Sequence, residues 1–218
     1  MYKIVVLLSG EGSNLQVIID QIDSGNIKAK ISAVISNRAD ANGLKRAEQA
    51  GLPNLFIDHT GFDSRESFDQ ELSKIIDKYT PDLIVLAGFM RILSDSFVEK
   101  LQGKLINIHP SLLPKYKGLH THKRALENGD NKHGASVHFV TPELDSGAVI
   151  IQGVIQVKTD DTEITLANRV HQIEHQIYPQ AVKWLAEGNL IYKKETLIFN
   201  DELLEKPFRE QLILTVVK

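Results

Sequence analysis

Residues 104–120 read KLINIHPSLLPKYKGLH, and they place two polar side chains at the end of an apolar strand. Successive side chains of a β-strand point to opposite faces, so Asn107 and His109 share one side while the neighbouring isoleucines enter the sheet. Pro110 disfavours helical backbone at the preceding residue, which predicts that the strand ends at an extended His109. Open α/β sheets bind ligands at the carboxyl ends of their strands. The stretch therefore predicts an amide and an imidazole at a ligand-binding edge.

Length and composition predict one moderately large α/β domain. The chain has 218 residues, of which 42% are hydrophobic, enough to fill one core. We expect a single domain over residues 1–200 and a C-terminal extension of unknown role over residues 201–218. The sequence contains no cysteine, which excludes disulfide frameworks, thiolate chemistry and cysteine-based zinc sites.

Charge and hydropathy bear on partners and location. The net charge of −3 gives no global attraction for nucleic acid. The early apolar run, residues 4–8, is too short for a signal core or a membrane span. We therefore expect a cytoplasmic protein that acts on small molecules and binds neither nucleic acid nor membranes.

The first strand, residues 3–8, leads into the turn SGEGSN at residues 9–14 and then into a helix with apolar residues at helical spacing. A glycine-rich turn at a helix N-terminus presents unpaired N–H groups and the positive end of the helix dipole to an anion. Leu15 stands where a dinucleotide motif has its third glycine, so one phosphate fits better than a pyrophosphate. A tight turn capped by serine or asparagine is the alternative. If phosphate binds, the carboxylate of Glu11 must point away.

The rest of the chain alternates strands and helices, which predicts a mostly parallel sheet with helices on both faces. The predicted strands are residues 31–36, 54–57, 82–87 and 135–140, followed by hairpins at 149–157 and 190–199. The predicted helices are residues 44–50, a stripe from Phe68 to Tyr79, 121–128 and about 162–187. Asp63 and Glu66 are candidates for a capping box before Phe68, and His138 is expected to point outward from its strand.

One loop should reach the same edge as His109, and a second loop follows the strand predicted at residues 135–140. Residues 88–93, GFMRIL, could wall an apolar pocket, although such a run is more typical of core. Residues 141–147, TPELDSG, carry Asp145, although aspartate is common in turns for local hydrogen bonding alone.

A metal site is the sharpest rival interpretation. Seven of the eight histidines lie between residues 109 and 175, and residues 171–175, HQIEH, match the inverted zinc-peptidase pattern. Apolar residues also repeat along one face of this helix, so the polar ones could simply occupy the other face. A zinc hydrolase stays open as an alternative.

Residues 107–114, NIHPSLLP, closed by Gly118, resemble the signature of the folate-dependent formyltransferases, in particular those of purine synthesis. The resemblance extends over residues 3–199 and includes the phosphate turn, residues 88–93 and Asp145. It implies the formyltransferase fold, a Rossmann-like and mostly parallel α/β sheet. It also implies transfer of the formyl group of 10-formyltetrahydrofolate to the amine of 5′-phosphoribosylglycinamide in de novo purine biosynthesis, without a metal.

The same resemblance implies residue roles. Asn107 and His109 are the expected catalytic residues, with Asp145 orienting His109 and favouring its charged form. The residues implied to bind the phosphoribosyl substrate are Gly12, Ser13, Asn14, His171 and Glu174, with Glu174 near the amine. The residues implied to bind the formyl folate are Arg65, Met90, Arg91, Ile92, Leu93, Asn107, Thr141 and Asp145.

Other functions remain as alternatives. Methionyl-tRNA formyltransferase shares the central motif but adds a C-terminal RNA-binding domain, for which we expect the residues after 199 to be too few. Formyltetrahydrofolate deformylase adds an N-terminal regulatory domain, whereas the first strand here begins at Lys3. A non-enzymatic phosphosugar-binding module would use only the phosphate turn and would leave Asn107, His109 and Asp145 unexplained.

Overall fold

The computed structural model describes residues 1–193 and 195–211. The helices in these ranges are α1 (Ser13–Asp23), α2 (Asn42–Gln49), α3 (Arg65–Tyr79), α4 (Asp95–Lys100), α5 (Thr121–Glu127) and α6 (Glu163–Ala186). The strands are β1 (Tyr2–Leu8), β2 (Ala29–Ser36), β3 (Asn54–Phe56), β4 (Leu83–Leu86), β5 (Leu105–His109), β6 (Lys132–Phe139), β7 (Val149–Gln156), β8 (Leu190–Lys193), β9 (Thr196–Phe199), β10 (Glu202–Leu203) and β11 (Phe208–Gln211).

In the described part of the chain, the strands form one large sheet of order β11-β7-β6-β5-β4-β1-β2-β3 and a small sheet of order β10-β9-β8. In the large sheet, β6 runs antiparallel to both β5 and β7, while the other neighbouring strands are parallel. The predicted mostly parallel α/β sheet is confirmed. Its parallel strands β1, β4 and β5 end at the same edge, where β5 delivers His109.

Side-chain alternation along β1 builds a core on each face of the sheet. Ile4, Val6 and Leu8 pack with α1 and α6 on one face, and Val5 and Leu7 pack with α3 and α4 on the other. All five side chains are fully buried, and each such burial contributes about 1.5–3 kcal/mol to folding before entropy is counted. Helices therefore cover both faces, as the alternation of elements predicts.

The N-terminus of α3 differs from the prediction by one residue. The backbone at Ser64 is extended, and its hydroxyl accepts a hydrogen bond from the Ser67 N–H at 3.0 Å. The Ser67 hydroxyl in turn accepts from the Ser64 N–H at 3.2 Å. These two bonds satisfy N–H groups that the helix itself leaves unpaired. The capping box is therefore Ser64 with Ser67, and the prediction of Asp63 with Glu66 was wrong.

Part of the predicted C-terminal extension joins the large sheet. β11 pairs in parallel with β7, with Phe208 opposite Ile151. The ring of Phe208 lies 4.7 Å from the ring of Trp184 and 4.7 Å from that of Phe199, measured between centroids. These contacts hold β11 against an otherwise open edge. Residues 212–218 of the predicted extension lie outside the described residues.

None of the helices within residues 1–193 and 195–211 combines the length and the apolar content that crossing a membrane requires.

Candidate active site

Strand pairing around β5 brings four polar side chains to one face. Asn107 is opposite His138 of β6, and His109 is opposite Ser136. Residues directly opposite each other in an antiparallel pair point to the same face. The intervening Ile108 packs into the core with α1 and α6. The sheet therefore collects one amide, two imidazoles and a hydroxyl side by side.

His109 lies between two hydrogen-bond acceptors. Its side chain is buried, with Nε2 at 2.9 Å from the carbonyl oxygen of Tyr116 and Nδ1 at 3.4 Å from Oδ2 of Asp145. A carbonyl only accepts, so Nε2 carries a proton. The Gly118 N–H donates to the same Asp145 oxygen at 2.9 Å, which fixes the carboxylate. The ring thus lies between the Tyr116 carbonyl, to which it donates, and the carboxylate of Asp145.

His138 is a functional candidate to which the sequence argument could give no role. It is 1% exposed, so the prediction that it points outward was wrong. Its Nδ1 donates to the Phe139 carbonyl at 2.9 Å, and burial lowers its pKa, which keeps the ring neutral. Its Nε2 is then free to accept from the Asn107 amide at 3.3 Å, and it lies 3.6 Å from Oδ1 of Asp145. His138 therefore orients the Asn107 amide.

The loop after β5 is anchored from beneath by Ser136. Its hydroxyl donates to the Ser111 carbonyl at 2.7 Å and accepts from the Leu113 N–H at 3.0 Å. Gln152 of β7 donates to both the Leu113 carbonyl and the Ser136 hydroxyl, at 2.8 and 3.0 Å. All of these groups are buried, where unpaired polar atoms are costly. The network fixes the course of the loop that carries Tyr116 and Gly118 to His109.

The glycine-rich turn lies at the carboxyl end of β1, with Gly12 as the N-cap of α1 at φ 72°. Among the described residues, no side chain caps this helix and its first turn holds no acidic residue. The predicted alternative of a capping serine or asparagine is therefore not what forms. The first N–H groups of α1 remain available to an anion.

Glu174 of α6 connects to the same turn. Its Oε2 accepts a hydrogen bond from Asn14 Nδ2 at 3.0 Å, and the residue is 4% exposed. Burial raises the pKa of Glu174, an effect that the Asn14 bond partly offsets. The other amide atom, Asn14 Oδ1, is buried without a hydrogen-bond partner in the part of the chain that the structure describes. A carboxyl and a free amide oxygen thus adjoin the turn.

The family assignment follows from sequence as well as geometry. The sequence model described as "Formyl transferase" matches residues 2–182. The chain belongs to the formyl transferase family. Phosphoribosylglycinamide formyltransferase of Escherichia coli is 57% identical over 188 residues, covering 86% of this chain and 89% of that relative. The Haemophilus influenzae enzyme of the same name is 46% identical over 206 residues, covering 94% and 97%.

Solved structures agree with the sequence comparison. The phosphoribosylglycinamide formyltransferase of Coxiella burnetii superposes with a TM-score of 0.91 at 51% identity, covering 95% of this chain and 98% of that one. The predicted family, its fold and its formyl-transfer activity in purine biosynthesis are confirmed by these similarities.

The loop at residues 88–93 exposes large apolar side chains at the carboxyl end of β4. Met90 is 73% exposed and Ile92 is 59% exposed, which is unusual for large apolar residues. The Met90 N–H donates to the Ser9 hydroxyl at 2.8 Å, which ties this loop to the end of β1. Leu93, in contrast, packs into the core with α3 and α4. Leu93 is therefore a core residue, whereas Met90 and Ile92 are not.

The remaining predicted folate residues lie on neighbouring elements. The guanidinium of Arg91 stacks over the Phe68 ring of α3 at 4.6 Å from the centroid, while Arg65 is exposed in the first turn of the same helix. Thr141 is half-buried, and its hydroxyl donates to the Glu143 carbonyl at 3.1 Å. Leu144, beside Asp145, is 50% exposed.

The candidate zinc ligands of the HQIEH pattern in α6 lie in different environments. His171 is exposed, His175 is half-buried, and Glu174 is held by Asn14. Within residues 1–193 and 195–211, no group of three or more His, Asp or Glu side chains is placed to hold a metal ion.

Proposed function

We propose that this chain transfers the formyl group of 10-formyltetrahydrofolate to the amine of 5′-phosphoribosylglycinamide, with Asn107, His109 and Asp145 as its catalytic centre. The observation that carries the proposal is the His109–Asp145 pair, joined at 3.4 Å on the same sheet edge as an uncapped helix N-terminus. The names of the full-length relatives in Escherichia coli and Haemophilus influenzae support the choice of acceptor.

The reaction needs hydrogen-bond donors at an oxyanion and a path for one proton. The neutral amine attacks the formyl carbon, which forms a C–N bond and a tetrahedral oxyanion. Collapse of the oxyanion breaks the bond to N10 of the folate, the amine nitrogen loses a proton and N10 gains one. Positioned donors and acid–base groups of this kind contribute about 10²–10⁴-fold each.

His109 and Asn107 have the atoms for this work. The Nε2–H of His109 is bonded to the Tyr116 carbonyl in the free protein, and in the complex the substrate oxygen replaces that carbonyl as acceptor. Asn107 uses one amide hydrogen on His138 and keeps the second for the same oxygen. Asp145 holds the ring and balances the charge of the imidazolium.

The two substrates approach from different sides of His109. The exposed side chains of Met90 and Ile92 offer an apolar surface to the flat pterin, and Arg65 and Arg91 lie on the side where the folate carboxylates would extend. The phosphate binds at the N–H groups of Gly12, Ser13 and Asn14. Glu174 then faces the amine of the glycinamide, with exposed His171 one turn earlier on α6.

A turnover assay tests the proposal. Purified protein is mixed with 10-formyltetrahydrofolate, with and without 5′-phosphoribosylglycinamide, and release of tetrahydrofolate is followed together with formation of the formylated product. We expect release only when the acceptor is present. Release without the acceptor would show a deformylase instead, and no release in either mixture would remove the formyl-transfer assignment from this chain.

Turnover should survive removal of metal ions. The proposed chemistry uses only protein donors, and the two histidines and the glutamate of the HQIEH pattern lie in separate environments. After dialysis against a strong chelator, kcat should stay within about twofold of its starting value. If chelation abolishes turnover and zinc restores it, the zinc interpretation of residues 171–175 is correct.

Glu174→Gln should stabilise the fold and weaken binding of the ribonucleotide. Burial raises the pKa of Glu174, so between the ordinary pKa of a glutamate and this raised value the unfolded chain is ionised while the folded protein is not, and the stability falls as the pH rises. Glutamine removes this cost. We expect a Tm gain of about 3 °C, or roughly 1 kcal/mol, at mildly alkaline pH that vanishes at acid pH. The KM for the ribonucleotide should rise about tenfold, because the charge that faces the amine is lost.

Thermal scans at several pH values and steady-state kinetics measure both effects. Glu163→Gln at the exposed start of α6 is the matched control and should show no gain that grows with pH. A Tm difference for Glu174→Gln that is independent of pH would contradict the explanation.

A further inference from the structure

A carboxylate stands beside the proposed phosphate site. Glu11 immediately precedes Gly12 in the turn, and its side chain is 61% exposed. At a separation of about 4 Å, like charges repel by about 1 kcal/mol in water and several times more near a protein surface. A freely rotating Glu11 would therefore oppose a phosphate bound at the turn.

Two residues of α2 hold this carboxylate. Arg46 donates from its terminal nitrogen to Oε1 of Glu11 at 2.6 Å, and Asn42 donates from Nδ2 to Oε2 at 2.8 Å. Arg46 Nε also donates to the backbone carbonyl of Glu11 at 2.8 Å. A further bond, from the Gly43 N–H to the Gly10 carbonyl at 3.0 Å, ties the start of α2 to the turn. We refer to the Glu11 contacts of Arg46 and Asn42 as the Glu11 clamp.

The clamp holds a charged side chain in one orientation. The hydrogen bonds from Asn42 and Arg46 lower the pKa of Glu11, so the group is charged at neutral pH, as the substrate phosphate is. An ion pair that solvent reaches contributes about 0–1 kcal/mol to stability, and here Glu11 is 61% and Arg46 31% exposed. What the clamp does achieve is geometric, because both carboxylate oxygens and the carbonyl of one residue are directed toward α2.

We propose that Arg46 is a positioning residue for the phosphoribosyl substrate, holding the Glu11 carboxylate away from the phosphate and fixing the peptide that precedes Gly12. The inference rests on the proposed function, in which the turn of Gly12, Ser13 and Asn14 receives the phosphate. Arg46 acts through Glu11 and does not itself contact the phosphate.

Arg46→Met tests the clamp. Releasing the Glu11 carboxylate should raise the KM for 5′-phosphoribosylglycinamide about tenfold, with kcat and the KM for the folate within about twofold. The increase should shrink at high ionic strength, because salt screens repulsion between exposed charges. Arg38→Met is the matched control: Arg38 pairs with Asp40 at 2.8 Å, both side chains are more than half exposed, and its loss should change the same KM by less than about twofold.

The Glu11→Gln, Arg46→Met double variant separates the clamp from other roles. With no carboxylate to release, its KM for the ribonucleotide should return to within about threefold of the wild-type value. A double variant as weak as Arg46→Met would overturn the proposal, because it would mean that Arg46 contacts the phosphate directly or only supports the fold. So would a salt-independent loss in Arg46→Met.

The affinity of each variant for ribose 5-phosphate, measured by titration calorimetry, tests the clamp without turnover. Wild-type protein that binds this probe but forms no product would refute the proposed function, and the same variants would still decide the clamp by their affinities for the probe. Wild-type protein that neither binds the probe nor turns over would refute both.

Discussion

Replacing His109 with asparagine should lower kcat about a thousandfold, with both KM values within about threefold of wild type. The ring is buried between the Tyr116 carbonyl and the Asp145 carboxylate, and the proposed mechanism gives the proton transfer and part of the oxyanion stabilisation to this one side chain. Asparagine keeps polar atoms near the position of Nδ1, but it does not reach the position of Nε2 and cannot carry the positive charge. Steady-state kinetics on protein shown to be folded by circular dichroism measure the loss.

Asp145→Asn should produce a similar fall in kcat, and the double variant should be hardly worse than His109→Asn alone. Residues that act as one unit are non-additive, because the carboxylate works only through the ring. The substitution should leave the local backbone unchanged, because asparagine tolerates the left-handed conformation of Asp145, at φ 49°. Its amide oxygen can still accept from the Gly118 N–H.

His120→Asn is the matched control for these variants. His120 is exposed at the start of α5 with a left-handed backbone at φ 57°, and its replacement should leave kcat within about threefold. Additive losses from His109→Asn and Asp145→Asn, or near-native turnover of Asp145→Asn, would leave Asp145 as a turn residue only.

The strand that carries Asn107 and His109 could be predicted because its pattern is local. The period of a strand alone places Asn107 and His109 on one side, and Pro110 marks its end. The contact with Asp145 could not be derived in this way, because it depends on the antiparallel register of β6 and on a loop that returns across the sheet edge. Only the family resemblance supplied that residue.

His138 shows where periodicity fails. Polar residues at 136 and 138 share one face of β6, which in principle marks that face as special. From His133 to Phe139, however, every residue of the strand is buried, so there is no alternation of buried and exposed positions from which a direction could be taken. The sequence could not show that the partner of His138 is Asn107 across the strand pair.

The sequence predicted the orientation of Glu11 but not the residues that hold it. The need for the carboxylate to point away follows from charge alone, since a phosphate site and a carboxylate are adjacent in the turn. Which residues would hold it depends on how α2 meets α1, with Arg46 more than thirty positions later in the chain. Contacts at that separation are set by the packing of helices on the sheet and have no local signal.

Gly12→Ala should raise the KM for the ribonucleotide about a hundredfold, because the backbone N–H groups proposed to bind the phosphate are displaced and hydrogen bonds to a charged group are lost. A Cβ at Gly12 would lie 2.5 Å from Cα and 3.2 Å from the backbone nitrogen of Gly43, and backbone atoms cannot rotate away as a side chain can. The residue also has φ 72°, which L-residues adopt at a cost of about 1 kcal/mol. Either the turn or the start of α2 must move, and the N–H groups of the proposed phosphate site move with the turn.

Gly10→Ala in the same turn is the control that isolates this effect. A Cβ there would meet no heavy atom within 4 Å, and Gly10 does not have a positive φ. The KM for the ribonucleotide should therefore change by less than about threefold. The KM for the folate should stay near its wild-type value in both variants, because Met90 and Ile92 belong to a different loop. Kinetics with each substrate varied in turn, together with Tm values, separate loss of the phosphate site from loss of fold. Equal increases of both KM values in Gly12→Ala, or equal effects of the two alanine substitutions, would show that the turn does not hold the phosphate.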